Sequence, residues 1–229
     1  MTRLLSEVPY AAFLAYSPNG STTDRLHRIS QLFVRALKED AYFDNEPAVE
    51  LAARRLVEVR PECLESWFGP DVILVPAPRS SPFPPSNLGV PLRGTERDFL
   101  WVPRRICELL TRMGLAPETL ELLVRERRVT RAAAANAADR PRPREHLESL
   151  ACRPQLLAKD RLLVVDDVVT RGSTLLACAS LLAARFPETE VRTFALVRSI
   201  SNPAEFAAMR APVTGSIALR PRGDTLRRP

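Results

Sequence analysis

Lysine is nearly absent from this chain of 229 residues: of its 33 basic residues only Lys38 and Lys159 are lysines, and the rest are arginines. Histidine is as scarce. His27 and His146 stand far apart, which excludes a histidine-rich metal cluster. The four cysteines, Cys63, Cys107, Cys152 and Cys178, contain no C-x-x-C pair. Their spacing argues against both a zinc ribbon and a disulfide framework, and Cys178 reads as a small core residue. No apolar run approaches the ~20 residues of a membrane span. The short run Ala11 to Ala15 follows Glu7 and is not extended, so a secretory signal is not expected. These absences point to a cytoplasmic protein.

What is present is the composition of a soluble globular protein, with 45% apolar and 26% charged residues. The length suits one ordinary domain with a complete core. The net charge of +6 is unevenly placed. Residues 125–144 hold seven arginines against Glu126 and Asp139, and residues 220–229 hold four against Asp224. Outside these two segments the chain is slightly acidic, so there is no broad basic face of the kind that tracks nucleic acid.

Residues 161–175 carry the chemistry. Leu162 to Val165 read as a fully buried strand, with Asp166 and Asp167 at its expected end. A turn through Thr170, Arg171, Gly172, Ser173 and Thr174 then opens an apolar helical stretch to about Arg185. Ligands of open α/β sheets sit at the carboxyl ends of the strands. Helix N-termini bind phosphate through unpaired N–H groups and the positive end of the dipole. Two acids ahead of such a cradle suit a sugar phosphate, with the carboxylates on ribose hydroxyls and the loop on the 5′-phosphate. A chance occurrence of D-D-x-x-T-x-G-x-T in a chain of this length has odds of about 10⁻⁴. The bland alternative is a buried strand whose acids cap a helix or face solvent.

The remaining pattern alternates strands and helices, which favours a mainly parallel sheet. Tyr10 to Tyr16 reads as a strand, followed by the turn Ser17-Pro18-Asn19-Gly20. Thr23 or Asp24 caps a helix carrying Leu26, Ile29, Phe33 and Leu37, and a second helix starts at Pro47. Asp71 to Val75 is a second buried strand, leaving through Pro76-Ala77-Pro78-Arg79-Ser80-Ser81. A helix is expected at about 98–113, a third strand at Glu121 to Arg125 and a fourth at Val191 to Val197. The segment 126–150, with alternating prolines at Pro141 and Pro143, reads as a long polar loop, either a lid or a solvated excursion. Residues 220–229 read as a disordered basic tail.

Residues 162–175 closely resemble the phosphoribosyl-pyrophosphate (PRPP) loop of type I phosphoribosyltransferases. The order of elements over residues 70–200 resembles the same family, most of all its competence-protein-F-like branch. The Val75-Pro76-Ala77-Pro78-Arg79 sequence is similar to the Val-Pro-Val-Pro pattern of that branch. Two features depart from it. After Arg93-Gly94 the chain continues Thr95-Glu96 rather than Phe-Asn, and the N-terminal cysteine finger is absent. The resemblance implies an α/β fold with a mainly parallel open sheet flanked by helices. It implies one domain over 1–219, with residues 1–68 supplying N-terminal helical and hood elements and 70–200 the core.

The resemblance further implies an Mg²⁺-dependent enzyme that transfers phosphoribosyl from PRPP to a nitrogen acceptor and releases pyrophosphate. Asp166 and Asp167 would hold the 2′ and 3′ hydroxyls. Val168, Val169, Thr170, Arg171, Gly172, Ser173 and Thr174 would line the 5′-phosphate site, and Ala77, Pro78 and Arg79 the diphosphate. Mg²⁺ would be bound mainly through substrate oxygens, near Asp166 and Asp167. Arg127, Arg128, Arg131, Arg140, Arg142 and Arg144 are candidates for a basic lid, and residues from Arg198 onward for the acceptor hood. A homodimer is compatible with the family. Two other readings stay open: a regulator that senses PRPP without turnover, and a nucleic-acid-associated protein using the arginine segment.

Overall fold

A computed structural model of the chain describes residues 2–82, 100–129, 141–156 and 160–229. β4 (Val72–Pro76) and the start of β8 (Arg161–Val169) are runs of apolar residues that need cover on both faces. They become the middle of a seven-stranded sheet in the order β11-β10-β1-β9-β8-β4-β5. Strands β1 (Glu7–Tyr16), β9 (Glu190–Ser199), β8, β4 and β5 (Glu118–Thr119) run parallel to one another. β10 (Arg210–Leu219) returns antiparallel to β1, and β11 (Thr225–Arg228) antiparallel to β10. The protein is therefore an α/β fold built on a mostly parallel sheet flanked by helices, as the sequence pattern implies.

Helices cover the two faces of the sheet. One face packs under α1 (Arg25–Glu39), α2 (Ala48–Val59) and α4 (Val102–Arg112), with Phe13, Phe33, Leu37, Leu74, Ile106, Leu163 and Phe194 in the contact. The other packs under α6 (Ser173–Arg185), with Tyr10, Ile73, Leu162, Val164, Leu176, Leu182 and Ile217. α1 starts where expected: Asp24 accepts a hydrogen bond from the His27 amide at 2.9 Å. Short elements α3 (Glu62–Glu65), β2 (Tyr42–Phe43) and β3 (Glu46–Pro47) finish the N-terminal part. No helix among the described residues is long and apolar enough to cross a membrane.

Three expectations are corrected. First, Glu121 to Arg125 does not add a strand to the main sheet. The chain leaves that sheet at Leu120, whose amide donates to the Leu74 carbonyl, and β6 (Leu123–Arg125) pairs instead with β7 (Leu150–Cys152). The edge position goes to the two residues of β5. Second, β1 lies inside the sheet between β9 and β10, so the sheet draws on the N-terminal segment as well as on residues 70–200. Third, the basic tail is not disordered. Thr225 is buried, and Arg227 is held by two carbonyls, those of Val169 and Ser199. An arginine with such partners gains more by docking than by staying solvated.

Candidate functional site

The acidic pair lies within β8, which runs on to Val169 rather than ending before Asp166. Leu163 and Val165 face one core and Leu162 and Val164 the other, but Val168 packs with the first and Val169 with the second. The alternation thus slips by one across Asp166 and Asp167. Two short hydrogen bonds accompany the slip: the Asp167 amide donates to Asp166 Oδ1 at 2.9 Å, and the Val168 amide donates to Asp167 Oδ1 at 2.7 Å. Both carboxylates stay half-buried near the carboxyl end of a central strand. Burial, followed by the adjacent Asp167 charge, pushes the Asp166 carboxyl well above the usual carboxylate range.

Beyond Val169 the turn closes at Gly172, which sits at φ 89° and begins α6. Only glycine takes that conformation without strain. Space demands it too, because a Cβ there would lie 2.6 Å from Ile217 Cδ1. As N-cap residue Gly172 has no side-chain oxygen, so no side chain caps the first turn of the 13-residue α6. An uncapped helix start with hydroxyls at Ser173 and Thr174 has the form of an anion nest. Ser173 Oγ lies 3.1 Å from Thr225 Oγ1, and Thr174 Oγ1 lies 3.5 Å from His146 Nε2. Arg171 is exposed.

The second expected segment is brought alongside. β4 pairs with β8 as far as Pro76 opposite Val165, and the Ala77 amide continues the ladder to the Val165 carbonyl at 2.8 Å. Ala77, Pro78 and Arg79 therefore leave the sheet beside the acidic pair. Their path is fixed from outside: Trp101 Nε1 donates to the Ala77 carbonyl at 2.7 Å and Arg125 Nε to the Arg79 carbonyl at 2.9 Å.

Arg125, His146 and Ser149 form a buried polar group beneath this site that sequence reasoning missed. Arg125 is 4% exposed and also donates to the His146 carbonyl and to Ser149 Oγ. Burial, with the Arg125 charge as a second cause, pulls the His146 imidazole down to about 4. Cys178, one turn into α6, is pushed up to about 12 by burial. It is an inert core thiol, as the sequence suggested. The signal that was available was an arginine closing the apolar run Leu122-Leu123-Val124, a position that is seldom solvated.

The lid candidates divide. Arg127 donates to the Glu148 carbonyl, Arg144 pairs with Glu148 at 3.2 Å, and Arg142 reaches the Arg222 carbonyl at 3.4 Å. Arg128 is exposed. Arg131, Arg140 and the Arg93–Glu96 stretch lie outside the described residues. Where the segment is described it is partly ordered, as α5 (Pro143–Glu148) and β7. A cavity of about 290 Å³ lined by Leu56, Arg60, Phe68 and Leu115 lies near Gly69, before the amino end of β4, and is remote from the acidic pair. Among the described residues no group of three His, Cys, Asp or Glu could hold a metal ion on its own.

No protein-family model matches the chain, and no curated protein matches it. Among solved structures it is similar to a hypoxanthine phosphoribosyltransferase from Staphylococcus aureus, at 10% identity and a TM-score of 0.34, over 67% of this chain and 75% of that one. A glutamine mutant made to analyse an invariant aspartic acid in HPRTs overlaps 82% of this chain and 93% of its own, at 12% identity and a TM-score of 0.31. The hypoxanthine phosphoribosyl transferase of Trypanosoma cruzi overlaps 82% and 89%, at 11% identity and a TM-score of 0.28.

Proposed function

We propose that the chain is a phosphoribosyltransferase of the type I class, which binds PRPP with Mg²⁺ and transfers phosphoribosyl to a nitrogen acceptor. One observation carries this: a carboxylate pair on a central strand, followed within five residues by an uncapped helix start and flanked by the exit of the neighbouring strand. In the reaction the bond from the anomeric carbon to pyrophosphate breaks and a bond to the acceptor nitrogen forms. Positive charge builds on the ribose as the leaving group departs, as in glycosyl transfer generally.

Each part of the site has a task. Asp166 and Asp167 accept from the ribose hydroxyls. The amides and hydroxyls of Ser173 and Thr174, with Thr170 and the tight turn at Gly172, hold the 5′-phosphate. Val168 and Val169 form the floor of that turn. Arg79 faces the diphosphate from the rigid exit through Pro78, and Arg171 projects toward solvent at the rim. The donor set fits Mg²⁺, which takes one or two carboxylates and completes its shell with waters and substrate phosphate oxygens. When bound, Mg²⁺ would neutralise charge on the pyrophosphate. Neither arginine nor threonine serves as a base near neutral pH, so the acceptor brings a nucleophilic nitrogen of its own.

The free cysteines, with Cys63 exposed, suit a reducing compartment, and the proposed place of work is the cytoplasm. A second reading, a PRPP sensor without turnover, is favoured by one contact: the C-terminal hairpin β10–β11 seats Ile217 and Thr225 against Gly172 and Ser173. Pyrophosphate release over a panel of purine, pyrimidine and amine acceptors separates the two. The enzyme releases pyrophosphate from PRPP with at least one acceptor, and combined Asp166→Asn and Asp167→Asn abolishes it. A sensor binds PRPP and releases none.

A further inference from the structure

Two arginines at the end of the sheet are not used by the chemistry above. Arg198 lies near the carboxyl end of β9, and its Cα is the register partner of Val169, the last residue of β8. Its side chain is half-buried, and its Nε is enclosed without a hydrogen-bond partner. The second guanidinium arrives from the C-terminal strand. Arg227 donates to the Val169 carbonyl at 3.1 Å and to the Ser199 carbonyl, and it stands 5.6 Å above the centre of the Tyr10 ring. Two strands distant in sequence thus deliver two guanidiniums to the point where β8 and β9 end and the phosphate turn begins.

The charges there are unbalanced. Burial and then the Arg198 charge count against the charged form of Arg227, with Tyr10 acting in the other direction. Burial raises the Tyr10 phenol although both arginines favour its ionisation. Among the described residues no carboxylate pairs with either arginine. On the same hairpin Arg220 and Arg222 share Asp224, and at the other end of the sheet Arg161 is paired with Asp71 and Glu190. Two neighbouring guanidiniums removed from water without a counter-ion are costly, and an oxyanion between them relieves that cost. Their planar forks match carboxylate and phosphate geometry. Arg227 is already fixed by its two carbonyls, so it is preorganised, whereas the enclosed Arg198 Nε keeps a donor unused. The buried Tyr10 hydroxyl, which lies against Arg227, adds a neutral donor beside them.

We infer that Arg198, Arg227 and Tyr10 form an oxyanion site next to the phosphate nest that takes the carboxylate or phosphate group of a small acceptor. The inference rests on the phosphoribosyltransferase reading and narrows it: the acceptor is a nitrogen nucleophile that itself bears an acidic group.

The test is calorimetric titration with benzoate and with methyl phosphate, run with and without Mg²⁺ and PRPP. Occupying the nest with PRPP leaves the arginine site as the place for a further anion. The wild-type protein is expected to bind one such anion with PRPP present. Arg198→Gln should weaken that binding by about tenfold or more, and Arg198→Lys by less. Arg227→Gln should weaken it too, with circular dichroism confirming that the hairpin variant folds. Arg198→Gln should leave PRPP affinity within about twofold, since its side chain is not in the PRPP site. Preference for benzoate assigns a carboxylated acceptor, and preference for methyl phosphate a phosphorylated one. Equal anion binding by wild type and Arg198→Gln overturns the site, as does no binding at about 10 mM of either anion, far above useful affinity. If anion binding depends on Arg198 while PRPP does not bind, the oxyanion site stands and the phosphoribosyltransferase reading falls.

Discussion

Replacing Gly172 by alanine tests the turn that shapes the proposed phosphate nest. At φ 89° an L-residue pays about 1–2 kcal/mol for the left-handed conformation. The added Cβ would also lie 2.6 Å from Ile217 Cδ1 and 2.9 Å from both Cγ1 and Cγ2. Ile217 is 0% exposed, so it has no free direction in which to retreat, and overpacking of this kind costs about 1–3 kcal/mol. Gly172→Ala should therefore destabilise by about 2–5 kcal/mol in urea unfolding. Ile217→Ala alone should cost about 2–5 kcal/mol through the cavity it leaves. In the double variant the three clashing atoms are gone while the conformational cost remains. The two changes should then fall short of additivity by about 1–3 kcal/mol. Additivity within about 0.5 kcal/mol would refute the claim that the hairpin presses on this turn.

Other outcomes follow from the same geometry. The buried His146, at about 4 against its ordinary 6.5, is neutral in the folded state. Below about pH 6.5 the unfolded chain takes up a proton the native state refuses, so His146 costs stability progressively as pH falls toward 4, about 3 kcal/mol in full. Urea midpoints of wild type and His146→Gln should converge at acid pH in favour of the variant. A constant difference would count against the buried neutral imidazole. Asp166 works in the opposite sense: its raised pKa means that ionisation at neutral pH opposes folding. Asp166→Asn should raise the thermal midpoint at pH 7 while removing PRPP binding, and a lowered midpoint would contradict this. Arg125→Met removes the donor to the Arg79 carbonyl, while Ser149 Oγ keeps its own bond to the His146 carbonyl, and should cost about 1–3 kcal/mol and raise KM for PRPP. Arg125→Lys should recover only part, because an ammonium lacks the planar fork.

Local signals made β8, the turn through Gly172 and α6 legible. A continuous apolar run, two acids, a glycine and paired hydroxyls all fall within residues 161–175, and each acts through neighbours in sequence. The same holds for the Asp24 cap and the start of α2 after Pro47. What stayed hidden depends on contacts made far along the chain. Residues 220–229 read as solvated because four arginines dominate them, yet Arg227 meets the Val169 and Ser199 carbonyls, which the sequence leaves invisible. Gly215 contributes, since a side chain there would meet the backbone of Arg228 and Pro229. Arg125 reads as part of a basic loop because its partners His146 and Ser149, in and just after α5, lie 21 and 24 residues away. The slip of alternation at Asp166 and Asp167 is likewise a property of the folded strand.

Titration of the protein with PRPP in the presence of Mg²⁺, beside the Asp166→Asn and Asp167→Asn double variant, bears most directly on the central claim. Saturable binding by wild type at a stoichiometry of one per chain, lost in the folded double variant, is the predicted result. Binding of equal strength to both proteins, or no heat and no shift of the melting point at millimolar PRPP, would contradict it.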